Sequence, residues 1–192
     1  MISRRTAIKI IFLVSSAIIF FLLVDKWLKV FSLPKLSLLD KKKSLIAEIA
    51  EVIIPGTDTP GAKDAHVEDF IIGMIEFCSD RKTQNNFIIG LLELENYAID
   101  EYGSPFVTCD SFEQSAILTF FEKKAHYQII ILNKVRNKLM GKPFIIKFKE
   151  LTVEGYCTSE LGATRGLAYD YIPEIYNACI RLEPNQRAWA TK

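Results

Sequence analysis

The sequence predicts an all-α fold, a compact bundle of about five to six helices with an irregular C-terminal tail. Apolar residues recur at three-and-four spacing, which is typical of amphipathic helices. The clearest such face consists of Val67, Phe70, Ile71, Met74, Ile75 and Cys78. The sequence contains no alternating strand pairs and no internal repeat. Short turns separate the helical segments, so consecutive helices are expected to pack antiparallel.

The N-terminal segment, residues 1–30, is predicted to be a signal or membrane-anchor helix. Arg4 and Arg5 stand in a Ser-Arg-Arg-x-x-x-Lys frame typical of the twin-arginine pathway, which exports folded proteins, although Ala7 replaces the usual aromatic residue. An uncharged run over residues 10–24 follows, without a subsequent A-x-A cleavage site, which favours an uncleaved anchor. The predicted location is therefore the periplasmic side of the inner membrane. The alternative is a cytoplasmic protein with a tail in the membrane.

Residues 31–37 are predicted to be a linker, and residues 38–192 the helical domain. Ser37 can cap a first helix over about residues 38–53. The second helix carries the apolar face described above, on which Cys78 is predicted to be a buried thiol. A third helix is predicted over residues 83–102, with Gly103 suited to its C-terminal stop.

The second half of the bundle is predicted from capping signals. Ser111-Phe112-Glu113-Gln114 offers a capping box for a fourth helix, and residues 127–139 continue helically to Gly141. Pro143 suits the first turn of a helix that ends near residue 154. Residues 144–148 have mixed propensity, so an extended segment is the alternative there.

The loop between the first two helices, residues 53–65, is unusually well specified. Its two prolines fix φ near −65°, and its two glycines permit positive φ. Asp64 lies three residues before the first apolar position of the next helix, so it is predicted to cap that helix. The loop is interpreted either as a helix–helix turn or as a rigid surface presented to a partner.

The C-terminal tail begins at Gly155 and is rich in tyrosine, with little helical periodicity. Tyrosine rings stabilise such a segment only when they are covered. The domain itself or another chain can provide that cover, and both interpretations stand.

Composition limits the classes of partner and cofactor. The chain of 192 residues balances 24 Lys and Arg against 23 Asp and Glu, whereas nucleic-acid binding needs a clustered positive excess. The four cysteines are widely spaced, and there are only two histidines. His66-Val67-Glu68 matches the H-x-E fragment of zinc deaminases, but the P-C-x-x-C that completes that site is absent from the sequence. We predict no nucleic-acid partner and no metal site.

The sequence also lacks the patterns of a stand-alone redox enzyme. No G-x-G-x-x-G follows a predicted strand, so no FAD bound in the Rossmann manner is predicted in this chain. Ser159-Glu160 has no paired histidine and forms no catalytic dyad. We therefore predict no catalytic residue and no cofactor-binding residue.

Two irregular stretches together resemble the gluconate 2-dehydrogenase subunit 3 family, and the resemblance extends in outline from about residue 45 to residue 179. The matching residues are Ala47-Glu48, Ile53-Ile54-Pro55, Thr57-Asp58-Thr59-Pro60-Gly61-Ala62, Gly155-Tyr156, Thr158-Ser159-Glu160 and Gly162-Ala163. Cys157 departs from the family pattern, which commonly has tyrosine there. We interpret it as a small buried residue, with an oxidisable thiol as the alternative.

The resemblance implies a non-catalytic small subunit of a periplasmic sugar or sugar-acid dehydrogenase. In that family a large subunit of the glucose-methanol-choline type holds FAD, a cytochrome c subunit commonly accepts the electrons, and the small subunit assists maturation, export and membrane attachment. The implied partner contacts are Thr59, Pro60, Gly61, Ala62, Asp64, Tyr156, Thr158, Ser159, Glu160 and Tyr176. Cys179 lies where relatives tend to have cysteine, so a disulfide at Cys179 is a hypothesis, with the partner chain as one candidate for the other cysteine. The alternatives are a stand-alone sugar oxidoreductase and an anchored structural protein with an unrelated partner.

Overall fold

The computed structural model describes residues 32–125 and 141–170, with the shorter pieces 13–16, 20–21, 24, 172, 179, 181, 184 and 186–190. The residues of the twin-arginine frame, Arg4 and Arg5, lie outside the described residues, as do Tyr176 and the helix predicted over residues 127–139. Within the described part of the chain, no helix has both the length and the apolar character needed to cross a membrane.

The described residues form a helical bundle, which confirms the predicted fold class. Its α-helices are α1 (Ser37–Lys41), α2 (Lys43–Ile53), α3 (Val67–Cys78), α4 (Arg81–Tyr102), α5 (Ser111–Ala125) and α6 (Phe144–Thr158). A 3₁₀ turn (Phe106–Thr108) lies between α4 and α5, and a π-helical turn (Gly162–Gly166) follows α6.

The helix predicted over residues 38–53 is divided at Lys42 into α1 and α2. Lys42 has φ −105° and ψ 15°, outside the helical region. Its ammonium group pairs with the carboxylate of Glu95 on α4. The ion pair of the residue at this break therefore connects the start of the domain to α4.

The core is built around aromatic and branched aliphatic side chains from all the longer helices. Phe87 of α4 packs edge-to-face on Phe144 and stacks on Phe148 of α6, with ring centroids 5.2 and 5.6 Å apart. Gly90 permits this approach, since a Cβ added there would lie 2.2 Å from the Cβ of Phe144. α4 and α6 therefore pack at a distance that only glycine allows at this position.

α4 begins at Arg81, two residues before the predicted start, and its C-terminal stop is Gly103 as predicted. Asp80 caps its N-terminus by accepting a hydrogen bond from the backbone N–H of Thr83 at 3.0 Å. Hydrogen bonds from the Thr83 side chain and backbone hold the pKa of Asp80 below its ordinary value. Gly103 ends the helix with φ 72°, the left-handed conformation expected of a C-terminal glycine.

The capping box of α5 begins one residue earlier than predicted. Asp110 Oδ1 accepts from the N–H of Glu113 at 2.8 Å, and Glu113 Oε2 accepts from the N–H of Asp110 at 3.0 Å. The box therefore joins Asp110 to Glu113 and leaves out Ser111. Gln114 is instead buried, and its amide donates to the carbonyl of Phe106 at 3.0 Å.

Two further predictions are wrong. Cys78 is exposed, not buried, because it is the last residue of α3 and lies beyond the part of that face that the core covers. The helix from Pro143 does not end near residue 154: α6 reaches Thr158, so Gly155 is helical. A Cβ at Gly155 would lie 2.7 Å from the Phe70 ring, and this close packing on α3 holds the extra turn. Residues 144–148 are helical, so the extended alternative does not occur.

Candidate functional site: a clamped loop and its cleft

The loop over residues 55–64 is folded around one carboxylate. Glu51, in the last turns of α2, accepts a hydrogen bond from the N–H of Gly56 on Oε1 at 2.8 Å and one from the N–H of Lys63 on Oε2 at 2.9 Å. Hydrogen bonds to a charged acceptor are stronger than neutral ones. Glu51 therefore holds the two ends of the 55–64 loop together.

Glycine is required where the 55–64 loop crosses this carboxylate. A Cβ added to Gly61 would lie 2.5 Å from Glu51 Oε1 and 2.5 Å from the backbone nitrogen of Gly56. Next to it, Ala62 is fully buried and its N–H donates to the carbonyl of Ile54 at 2.9 Å. This part of the loop is therefore core, and only its other parts face solvent.

Asp64 has a different role from the predicted helix cap. Its Oδ2 accepts a hydrogen bond from the N–H of Gly61 at 3.0 Å, so the side chain binds the loop that precedes it and not the helix that follows. The residue before α3 is His66, in the left-handed conformation with φ 49° and ψ 40°, and it makes no side-chain cap. The prediction of a cap on α3 is wrong because the loop itself uses this carboxylate.

Residues of the second sequence stretch, which begins at Gly155, support the 55–64 loop. The side chain of Tyr156 on α6 is buried, with 6% of the residue exposed, and its hydroxyl donates to the carbonyl of Pro60 at 2.7 Å. Added Cβ atoms would lie 1.9 Å from the Tyr156 carbonyl oxygen at Gly162 and 2.3 Å from its hydroxyl at Gly166. The π-helical turn therefore wraps closely around Tyr156, and the two sequence stretches form one structural unit.

Ser159 shapes the start of that turn. Its hydroxyl donates to the carbonyl of Tyr156 at 2.8 Å and accepts from the N–H of Gly162 at 3.0 Å. These bonds turn the chain sharply at the end of α6, where the next segment must fold over the tyrosine ring.

The 55–64 loop and the C-terminal segment border a solvent-open cleft of about 480 Å³. Its lining consists of Gly56, Thr57, Asp58, Thr59, Pro60, Asp64, Thr164, Arg165 and Arg187. The guanidinium of Arg187 donates to the carbonyl of Arg165 at 2.6 Å. Carboxylates of the loop and arginines of the C-terminal segment thus share one mixed-charge cleft.

A parallel bridge brings the chain end to this cleft. The N–H of Ala168 donates to the carbonyl of Ala188 at 2.8 Å, and the N–H of Ala190 donates to the carbonyl of Ala168 at 2.8 Å. Arg187 is positioned by this pairing, although residues 171–185 are described only at single positions.

The residues predicted to contact a partner fall into two groups. Gly61, Ala62 and Tyr156 are buried in this chain, so they can affect a partner only through the shape they give the loop. The others that the structure describes are at least partly accessible; they are Thr59, Pro60, Asp64, Thr158, Ser159 and Glu160. Of these, Thr59, Pro60 and Asp64 line the cleft, and Thr158, Ser159 and Glu160 do not. Their contact with a partner stays a prediction.

The four cysteines are unpaired within this chain. Cys157 packs against the core but is only half-buried, so its interpretation as a small buried residue is correct in part. Cys179 is exposed. The hypothesis of a disulfide between Cys179 and a partner stays a prediction.

Three residues of this site were missed from the sequence. Glu51 was recognisable only as a carboxylate one turn before a Pro-Gly pair, and Arg165 and Arg187 carry no local signal. Their roles depend on contacts between segments far apart in the chain.

A family model described as Gluconate 2-dehydrogenase subunit 3 matches residues 40–173, more than half of the chain. That range contains the 55–64 loop, α6 and the π-helical turn. No curated protein and no solved structure matches the chain.

Proposed function

Because the chain belongs to the gluconate 2-dehydrogenase subunit 3 family, a family of dehydrogenase-complex subunits, we propose a specific accessory role for it. It is the non-catalytic small subunit that binds, stabilises and escorts an FAD-dependent dehydrogenase subunit of the glucose-methanol-choline type. The destination is the periplasmic side of the membrane, where the N-terminal segment attaches the complex.

The observation that carries this proposal is the double support of the 55–64 loop. Glu51 clamps the loop from α2, and Tyr156 holds it from α6. A loop that is already ordered loses less conformational entropy on binding than a flexible one. Rigid support of an otherwise exposed loop therefore supports a docking role.

The cleft beside the loop supports a protein partner of mixed charge. Asp58 and Asp64 lie on the loop side, and Arg165 and Arg187 lie on the C-terminal side. A partner surface with the opposite arrangement of charges would be oriented in a single way, since charge complementarity fixes register and excludes wrong partners.

The twin-arginine frame supports the escort part of the proposal. A flavoprotein must bind FAD before it crosses the membrane folded, because the cofactor has to be placed within a finished domain. A subunit with the export signal can carry a partner that has none. Arg4 and Arg5 would then serve both chains.

Docking is tested by coexpressing a flavoprotein dehydrogenase subunit from the same source with tagged variants of this chain and measuring how much of it copurifies. Arg165→Glu reverses an exposed charge in the cleft, and Arg81→Glu reverses an exposed arginine at the start of α4 that is not part of the cleft lining. We expect the first to reduce recovered flavoprotein by about tenfold or more, the range for a charge reversal in an interface, and the second to leave it unchanged. Equal recovery with both variants, at unchanged melting temperature, contradicts docking at this cleft.

Escort is tested separately with the double variant Arg4→Lys and Arg5→Lys. We expect both chains, and the dye-linked dehydrogenase activity, to stay in the cytoplasm. Unchanged periplasmic activity would exclude escort while leaving the docking result intact.

A further inference from the structure

At the start of α3, three potential metal ligands converge within four residues. A ligand atom from each of His66, Glu68 and Asp69 lies within 4.8 Å of the other two. His66 Nδ1 and Glu68 Oε1 are 3.5 Å apart. This separation is long for an N–H···O hydrogen bond. It agrees with the roughly 3.4 Å between two ligands of a tetrahedral ion with bonds of about 2.1 Å.

The carboxylate of Glu68 needs a partner that the described part of the chain does not supply. Glu68 is buried, with only 6% of the residue exposed. Its Oε2 is also buried and has no hydrogen-bond partner among the described residues. A buried, ionised carboxylate is expensive unless it is paired or binds a metal ion. Its other oxygen faces His66, so the side chain is directed into the cluster.

The backbone presents His66 to this carboxylate. His66 is the one non-glycine residue with positive φ among those that the structure describes, and its side chain is largely exposed. The left-handed conformation is strained for a residue with a Cβ. In this conformation His66 Nδ1 lies beside Oε1 of Glu68.

The third ligand is available despite an existing ion pair. Lys43 of α2 pairs with Oδ1 of Asp69, and a carboxylate has a second oxygen for an ion. Lys43 also offsets part of the negative charge of the cluster when no metal ion is present. It should therefore compete with a cation for this site.

We propose that His66, Glu68 and Asp69 form a divalent transition-metal site, with Zn²⁺ as the fitting ion. One imidazole and two carboxylates are ligands that Zn²⁺ accepts, and three protein ligands leave a fourth position for water or a partner's side chain. The ion would fix the junction between the 55–64 loop and α3. This site is independent of the proposed dehydrogenase partner, since all three ligands come from this chain.

The test is Zn²⁺ binding to the full-length chain in detergent, measured by calorimetry and by the melting temperature after treatment with a chelator. We expect one Zn²⁺ per chain with a dissociation constant of roughly 10 μM or tighter, and an increased melting temperature on binding. Co²⁺ at the same site should give the visible absorption of a four-coordinate ion. Ca²⁺ should bind at least about tenfold more weakly, since an imidazole ligand disfavours it.

The variants separate a metal site from a plain ion pair. His66→Ala and Glu68→Gln should each weaken Zn²⁺ binding by about tenfold or more, and Lys43→Met should strengthen it. His126→Ala is the matched control, because these are the only two histidines in the chain, and it should bind like the wild type. Zn²⁺ binding that is absent, or equal in His66→Ala and His126→Ala, overturns the proposal and leaves a His66–Glu68 ion pair as the reason for the cluster. If Glu68→Gln fails to fold, the comparison of Zn²⁺ binding by His66→Ala and His126→Ala still tests the proposal.

Discussion

Replacing Glu51 with glutamine tests whether one carboxylate holds the 55–64 loop. The amide keeps a single acceptor, so one of the N–H groups of Gly56 and Lys63 loses its partner and faces an NH₂ group instead. A hydrogen bond to a charged group contributes about 1.5–3 kcal/mol. Glu51 is only half-buried, and water can replace part of that loss. We therefore expect Glu51→Gln to lower the free energy of unfolding by about 2 kcal/mol.

For a chain of this size, that loss corresponds to a melting temperature lower by roughly 4–8 °C. Hydrogen exchange gives the local measurement: the amides of Gly56 and Lys63 should exchange about 30-fold faster, the factor equivalent to 2 kcal/mol. The control is Glu48→Gln, one turn earlier on α2, which removes only the ion pair to the Lys63 ammonium group. Such surface pairs contribute about 0–1 kcal/mol.

The reasoning is refuted if Glu51→Gln destabilises the protein no more than Glu48→Gln does. It is also refuted if Glu51→Gln lowers the free energy of unfolding of the whole protein while hydrogen exchange of the Gly56 and Lys63 amides is unchanged. Either result would mean that backbone contacts alone, such as the one between Ala62 and Ile54, determine the conformation of the loop.

Four further substitutions test the support of the 55–64 loop, the packing of the helices and the N-terminal cap of α4. Tyr156→Phe removes the hydroxyl that bonds Pro60 and should cost about 1 kcal/mol, with faster exchange in the 55–64 loop; a rigid loop in this variant would contradict the support role. Gly90→Ala should cost about 1–3 kcal/mol through overpacking against α6. Gly73→Ala, with nothing within 4 Å of the new Cβ, should stabilise α3 by up to about 1 kcal/mol, and equal effects in thermal melts would refute this difference. Asp80→Ala should cost about 1 kcal/mol at neutral pH. Because the folded-state pKa of Asp80 is lowered, its contribution is fully present above the unfolded-state pKa and disappears as pH falls through the folded-state pKa, so wild type and variant should converge in acid melts.

The helices were largely predictable because each is encoded locally. The apolar face of α3 and the glycine stop of α4 depend on residues within a few turns, and burial follows the expected periodicity along most of each face. The predictions were wrong where contacts with other parts of the fold determine whether a side chain is buried. Cys78 has the right spacing but lies at an end that the core does not reach, and Gln114 is drawn inward by Phe106.

The candidate site was predictable only in part. Proline and glycine marked the 55–64 loop as one of fixed shape, because those residues act through their own backbone. The contact between Tyr156 and Pro60 joins residues separated by 96 positions, and no local pattern encodes it. Residues of the second stretch were interpreted as partner contacts, whereas Tyr156 lies inside the domain as a support of the first stretch.

The parallel bridge between Ala168 and Trp189 affects how this protein should be purified. A peptide fused after Lys192 begins six residues beyond Arg187, at most about 22 Å from it along a fully extended chain. An affinity tag at this end would therefore occupy the approach to the surface that we propose for the dehydrogenase. A fusion at the other end would alter the segment that we propose as the export signal.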